Sequence, residues 1–176
     1  MVSVAGKDQS LFAWLRLMQT PGVGDITARK LLTSFGLPEH IFDVSYSALI
    51  KVVPDNVARA LTVPLTAQQE QSLEEALLWH QTPGNHIMTL ADAAYPQRLL
   101  EIADPPCLLY AKGHIELLQK PAFAIVGSRH ATAEGLQNAT QFAAVLSQAG
   151  LTIVSGLAQG IDGAAHLGAL QGQGST

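Results

Sequence analysis

The sequence predicts an α/β chain in two parts, a small all-helical domain followed by a Rossmann-like parallel sheet left incomplete at its C-terminus. Three observations predict it. Leu11, Trp14, Leu15 and Met18 repeat at helical spacing before Thr20-Pro21-Gly22-Val23-Gly24-Asp25, and the same period resumes from Ile26 to Leu32. Ala122 to Val126 and Leu151 to Val154 are short apolar runs of the kind shown by parallel strands covered on both faces. Between them Leu136, Ala139, Ala143 and Leu146 mark one face of a helix, and the right-handed crossover rule then makes the two strands parallel.

In order along the chain, the first helix covers residues 10–20 and the second ends at Phe35-Gly36. Val53-Pro54-Asp55-Asn56-Val57-Ala58-Arg59-Ala60-Leu61 looks like a shortened second copy of this helical hairpin without glycines at its turn, which suits a packing role. Thr66-Ala67-Gln68-Gln69 carries a capping-box pattern and opens a helix through Leu73, Leu77 and Leu78, with Glu70, Glu74 and Glu75 on a solvated face. Pro83-Gly84 is the expected boundary, giving a helical domain at 1–65, a linker helix at 66–84 and the sheet domain at 85–176. His86 to Leu90 and Cys107 to Ala111 read as strands, joined by a short helix that starts at Tyr95-Pro96 and by the extended Asp104-Pro105-Pro106. Thr132 opens the long helix, Gly150 ends it, and a last helix runs from Gly163 to Leu170. Gln171 to Thr176 fall where a third core strand would enter, so the chain reads as truncated or as one part of a longer protein.

At 176 residues, with 48% apolar residues and a mean hydropathy of +0.21, the chain can bury a core and is not a disordered protein. A single Cys107 excludes an internal disulfide and, with six histidines that lack paired ligand spacing, argues against a structural zinc or other metal site. No apolar run approaches the roughly 18 residues of a membrane span, and the polar Lys7-Asp8-Gln9 argues against a signal peptide, so a cytoplasmic protein is expected. The net charge of −4 argues against general electrostatic attachment to nucleic acid and makes the placing of the basic residues matter. Residues 1–60 hold six basic and five acidic groups, whereas 121–176 hold one basic and two acidic. That one basic residue is Arg129.

Ligands of open α/β sheets sit outside the carboxyl ends of the strands. Two turns of low bulk meet there, Gly127-Ser128-Arg129 and Ser155-Gly156-Leu157-Ala158-Gln159-Gly160. Uncovered amides at a helix start favour an anion by about 0.3–1 kcal/mol per contact. The expected ligand is a phosphate, one held by Gly127, Ser128 and Arg129 and its neighbour by Ser155 and Gly156. A dinucleotide fits less well, because G-x-G-x-x-G is absent and Ser155 stands where a ribose-binding acidic residue belongs. The alternative is that Gly127 and Gly156 are turn residues only and Asp162 merely a helix cap. His130 and His166 could reach the same crevice, although lone histidines are more often packing or surface residues.

VGSRHAT followed by IVSGLAQGIDGAAHLGAL, with TLADAAYPQRLLEIADPPCLLYAKG upstream, resembles the DNA-processing protein A family, also called DprA or Smf. The resemblance covers Thr89 to Leu170. It implies a protein that binds single-stranded DNA, protects incoming strands in natural transformation and loads a recombinase of the RecA type, without catalysis and without a cofactor. It also implies a DNA contact at Gly127, Ser128 and Arg129, a sterile-alpha-motif-like N-terminal domain, and a homodimer in the full-length protein. The first hairpin, PGVG joined to TARKLL, resembles a helix-hairpin-helix motif and offers a secondary DNA contact through Gly22, Gly24, Arg29 and Lys30. A scaffolding role for it stays equally open. Two rival functions remain: a phosphoribohydrolase-like Rossmann enzyme of the lysine-decarboxylase-like group, and a protein-interaction scaffold built on the helical domain. The first needs a Pro-Gly-Gly-x-Gly-Thr turn and a catalytic glutamate, and neither occurs by residue 176.

Overall fold

The computed structural model describes residues 4–176, with side chains from Gln9 onward; the polar Lys7 and Asp8 lie outside the described side chains. The chain forms two compact units, Met1–Gly113 and His114–Thr176. No helix among the described residues is long and apolar enough to cross a membrane.

The first unit opens with six helices, α1 (Val4–Gln19), α2 (Asp25–Phe35), α3 (Pro38–Phe42), α4 (Tyr46–Leu49), α5 (Asp55–Thr62) and α6 (Ala67–Gln81). The apolar faces of the two hairpins meet in one core, where Trp14, Leu17, Leu31, Ile41, Val57 and Leu61 are buried together. Gly22 is required at the first turn. Its φ is 83°, and a β-carbon there would stand 2.9 Å from the Val57 side chain of the second hairpin. The capping box of α6 is formed, with Thr66 Oγ1 accepting the Gln69 amide at 3.3 Å and Gln69 Oε1 accepting the Thr66 amide at 2.9 Å. Glu70, Glu74 and Glu75 are exposed, as their solvated-face spacing predicts. Strands β1 (Asn85–Thr89) and β2 (Leu108–Lys112) pair antiparallel, Asn85 opposite Lys112. They follow Pro83-Gly84 in sequence yet belong to this unit, because Ile87 is buried with Leu15 of α1 and Leu73 of α6.

The second unit is a β-α-β-α run: β3 (Ala122–Ala124), α7 (Ala133–Gln148), β4 (Thr152–Val154) and α8 (Ile161–Ala169). The strands pair in parallel, Ala122 beside Thr152 and Ala124 beside Val154, as the crossover rule requires. Thr132 caps α7 by accepting the Gly135 amide at 3.1 Å, and Gly150 turns the chain at φ 89°. The core is small, with Ala143, Ile153, Ala165 and Ala169 at its centre. One expectation is corrected. Strand β3 is not covered on both faces: all three of its residues are exposed, because the helices pack on β4, where Thr152 and Ile153 are buried. Residues 174–176 run along the outer edge of β4. The Ile153 amide donates to the Ser175 carbonyl at 3.0 Å, and Thr152 Oγ1 donates to the Gly174 carbonyl at 3.0 Å. The last residues thus occupy the place expected for a third strand.

Candidate nucleic-acid interface

Parallel pairing in register brings the carboxyl ends of β3 and β4 side by side. The Ile125 amide donates to the Val154 carbonyl at 3.0 Å, one residue before each chain turns away from the sheet. The corners beyond are locked to each other. Ser155 Oγ donates to the Ile125 carbonyl at 2.6 Å. The Ile161 amide donates to the Ser128 carbonyl at 3.2 Å. Gly160, at φ 83°, lies so close to the first corner that a β-carbon would fall 2.2 Å from the Ser128 carbonyl oxygen.

Asp162, in the first turn of α8, joins the two glycine amides. Its Oδ1 accepts the Gly127 amide at 3.3 Å and its Oδ2 the Gly156 amide at 3.1 Å. Asp162 is 6% exposed. Two amide donors and the positive end of the α8 dipole allow a charge to be buried there. The Gly156 amide, expected to be uncovered, is therefore already occupied, and Asp162 serves both corners rather than capping its own helix.

What faces solvent is a different donor set. Ser128 and Arg129 are exposed, and among the described residues neither of their amides finds an acceptor within the chain. The Arg129 guanidinium has no carboxylate within ion-pair distance there. Ser128 Oγ accepts the His130 amide at 3.1 Å and keeps its own hydrogen to donate. The second corner projects Leu157, 80% exposed and at φ 57°, a left-handed conformation uncommon for a branched side chain. His130 is exposed beside the first corner. His166 turns to the outer edge of β4, where Nδ1 lies 2.6 Å from Thr176 Oγ1.

The profile of the family described as DNA recombination-mediator protein A matches residues 86–176. The chain is a member of that family. Protein Smf of Synechocystis is 33% identical over 172 residues, covering 93% of this chain and 42% of that protein. Protein Smf of Escherichia coli is 39% identical over 101 residues, 57% of this chain and 27% of that protein. The X-ray structure of DNA processing protein A (DprA) from Streptococcus pneumoniae superposes with a TM-score of 0.71 at 27% identity, covering 94% of this chain and 55% of that one. The chain thus spans between about a quarter and a half of the length of these relatives.

In this member of the recombination-mediator family the first hairpin holds the other candidate residues. Gly24 precedes α2, and its carbonyl accepts the Ala28 amide at 2.8 Å. Arg29 is engaged inside the unit: its guanidinium binds the Asp104 carboxylate and donates to the Pro105 carbonyl at 2.6 Å. Hydrogen bonding to Asp104 holds the Arg29 pKa above its ordinary value. Lys30 is exposed without an ion pair among the described residues, on a shallow depression that it shares with Ile26, Thr33, Ser34 and Lys51. The structure thus brings Gly127, Ser128, Arg129, Ser155 and Gly156 to one locus, and it places Gly22, Gly24, Arg29 and Lys30 around one hairpin, where Arg29 lines the same depression as Lys30 but has its guanidinium engaged by Asp104 and Pro105.

Asp162 and Gly160 are the residues that sequence reasoning undervalued. A signal existed for the first, a lone acid in the apolar run Ile161-Asp162-Gly163-Ala164-Ala165, whose burial obliges it to find donors.

Proposed function

We propose that this chain is the N-terminal part of a single-stranded DNA-binding protein that serves natural transformation and recombination without chemistry of its own. In this reading it protects incoming strands and presents them to a recombinase of the RecA type. It acts in the cytoplasm, and the full-length protein pairs as a homodimer. Residues 1–65 are read as its helical part and 66–84 as a linker helix; β1 and β2, from Asn85, pack with these helices, and the parallel sheet belongs to the unit His114–Thr176.

The observation that carries this reading is the exposed Arg129, unpaired among the described residues, at a corner where the Ser128 and Arg129 amides have no acceptor among those residues. A phosphodiester oxygen placed there meets a guanidinium fork, a hydroxyl and two backbone donors. Charge-assisted bonds of this type contribute about 1.5–3 kcal/mol each. Gly127, Ser155 and Gly156 complete the site as its frame, since their donors already serve Asp162 and Ile125. The contact reads phosphate and not base, which suits a protein that must accept any incoming sequence. Membership of the recombination-mediator family supports the assignment. At the first hairpin, Lys30 together with the Gly22 and Gly24 backbone is the secondary contact, and the internal bonds of Arg29 favour a scaffolding share for that residue.

The test is a titration of a fluorescent oligonucleotide with the 176-residue chain at increasing salt. Saturable binding that weakens with a shallow slope is expected, because few phosphates are neutralised. Absence of binding at low salt would leave only a protein-interaction role.

A further inference from the structure

The amides of Gly127 and Gly156 point at the place where nucleotide-binding sheets of this type hold a phosphate: outside the strand ends, at the start of the following helix. Here that place is filled from within. Asp162 puts one carboxylate oxygen on each amide, at 3.3 and 3.1 Å, and is almost wholly buried. Gly156 shows the same closure from the side of the backbone. In a dinucleotide fingerprint such a glycine lets the backbone approach the ligand phosphate, but a β-carbon on Gly156 would stand 2.9 Å from Asp162 Oδ2. Gly127 is crowded in the same way, by Ile161 at 2.7 Å. The bareness of both corners is thus accounted for by the chain's own side chains.

We infer that Asp162 is a specificity-determining residue, a built-in anion that closes the nucleotide-phosphate position and leaves ligand phosphates only the outward donors of Ser128 and Arg129. The half of this statement that concerns the outward donors rests on the function proposed above. A free nucleotide presents a terminal phosphate of nearly two negative charges at neutral pH. To reach the inner amides it would have to displace a buried carboxylate or lie against it, and like charges in a desolvated site repel strongly. A phosphodiester within a strand carries one charge, has only two unbridged oxygens, and can be held from outside at Arg129. The chain would therefore discriminate against mononucleotides while still accepting a strand.

The experiment is a pair of NMR titrations of the ¹⁵N-labelled 176-residue chain, one with adenosine monophosphate and one with oligothymidylate. Adenosine monophosphate at millimolar concentration is expected to leave the Gly127 and Gly156 amide signals in place. Oligothymidylate is expected to move those of Ser128 and Arg129. Saturable shifts of Gly127 and Gly156 with adenosine monophosphate overturn the inference outright. If oligothymidylate moves nothing at Ser128 and Arg129, the DNA reading fails separately. The near-isosteric Asp162→Asn removes the charge, and its melting curve reports whether it is folded. The folded variant is expected to gain adenosine monophosphate binding by about tenfold or more, and no gain overturns the proposal. Saturable wild-type shifts at Gly127 and Gly156 overturn the inference whether or not the variant folds.

Discussion

The Arg29 guanidinium is bound to the Asp104 carboxylate across most of the first unit's sequence, with the Pro105 carbonyl taking a second nitrogen at 2.6 Å. The pair ties α2 to the loop that leads into β2. Arg29 is about one quarter exposed and Asp104 about half, so solvent screens part of the attraction. Arg29→Ala is expected to cost about 1 kcal/mol of stability and to leave oligonucleotide affinity within error of the parent chain. A large loss of affinity with an unchanged melting temperature would return Arg29 to the DNA surface.

The same loop is fixed a second time through Cys107. Its amide donates to Asp25 Oδ1 at 2.7 Å, and its thiol lies 3.6 Å from the Asp25 carbonyl oxygen. Burial, with the Asp25 charge adding to it, pushes the thiol up from 9.0 to about 12. A raised folded-state value means that the thiol contributes stability fully below pH 9 and that this contribution is lost as pH rises through about 12. The native chain should therefore not react with an aromatic disulfide reagent at pH 8, whereas the denatured chain should release one equivalent. Chemical denaturation should show a decline in stability between pH 9 and pH 12 that flattens in Cys107→Ala. Rapid modification of the native thiol at pH 8 would contradict the burial.

Arg129 has no ion pair to lose among the described residues, and it stands on an exposed corner. Arg129→Ala should leave the unfolding free energy within about 0.5 kcal/mol of the parent, as for surface positions generally. Affinity for every oligonucleotide sequence should fall by about tenfold, and the salt slope should shrink by about one unit. Binding by calorimetry at two salt concentrations measures both. A loss confined to certain sequences would mean that Arg129 reads a base.

The sequence was most legible where one local rule decided the outcome. Thr132 and Thr66 cap the helices that their spacing announces, Gly150 ends α7, and the apolar runs at β3 and β4 pair in parallel. It was least legible where a side chain's partner comes from far along the chain. Arg29 reads as a free cation beside Lys30, and only the fold supplies Asp104. Asp162 reads as a helix cap, and only the parallel register brings two amides to it from different corners. The bare β3 was misjudged for a related reason. An apolar run reports that a strand is suited to cover on both faces, whereas cover is supplied by other elements, and here the helices settle on β4.

Packing of α7 on α8 depends on Gly168. A β-carbon there would fall 2.1 Å from the Thr140 carbonyl oxygen and 3.0 Å from the Ala143 side chain. The helices cross at small residues, and Thr140 Oγ1 reaches the Ala164 carbonyl at 3.3 Å in the same contact. Backbone cannot step aside as a flexible side chain can. Gly168→Ala should destabilise the second unit by about 1–3 kcal/mol or more, despite the better helix propensity of alanine. Thermal unfolding followed by circular dichroism measures this, and a variant as stable as the parent would show that the helices stand further apart.

Gly160 couples the frame of the corner to its outward donors. It holds φ 83° and ψ −129°, a region open essentially to glycine alone, and it packs against the Ser128 and Arg129 carbonyls. Gly160→Ala must change the backbone conformation, at a cost of about 1–3 kcal/mol, and must push the first corner away. Gly163, three residues on in α8, is the control, since its β-carbon would meet the Ala158 carbonyl oxygen at an ordinary 3.5 Å. Gly160→Ala is expected to lose oligonucleotide binding about as completely as Arg129→Ala, while Gly163→Ala keeps it. Because Arg129 is still present in Gly160→Ala, a loss there isolates the position of the guanidinium from its charge. Full binding by a folded Gly160→Ala would mean that the strand does not depend on where this corner is held.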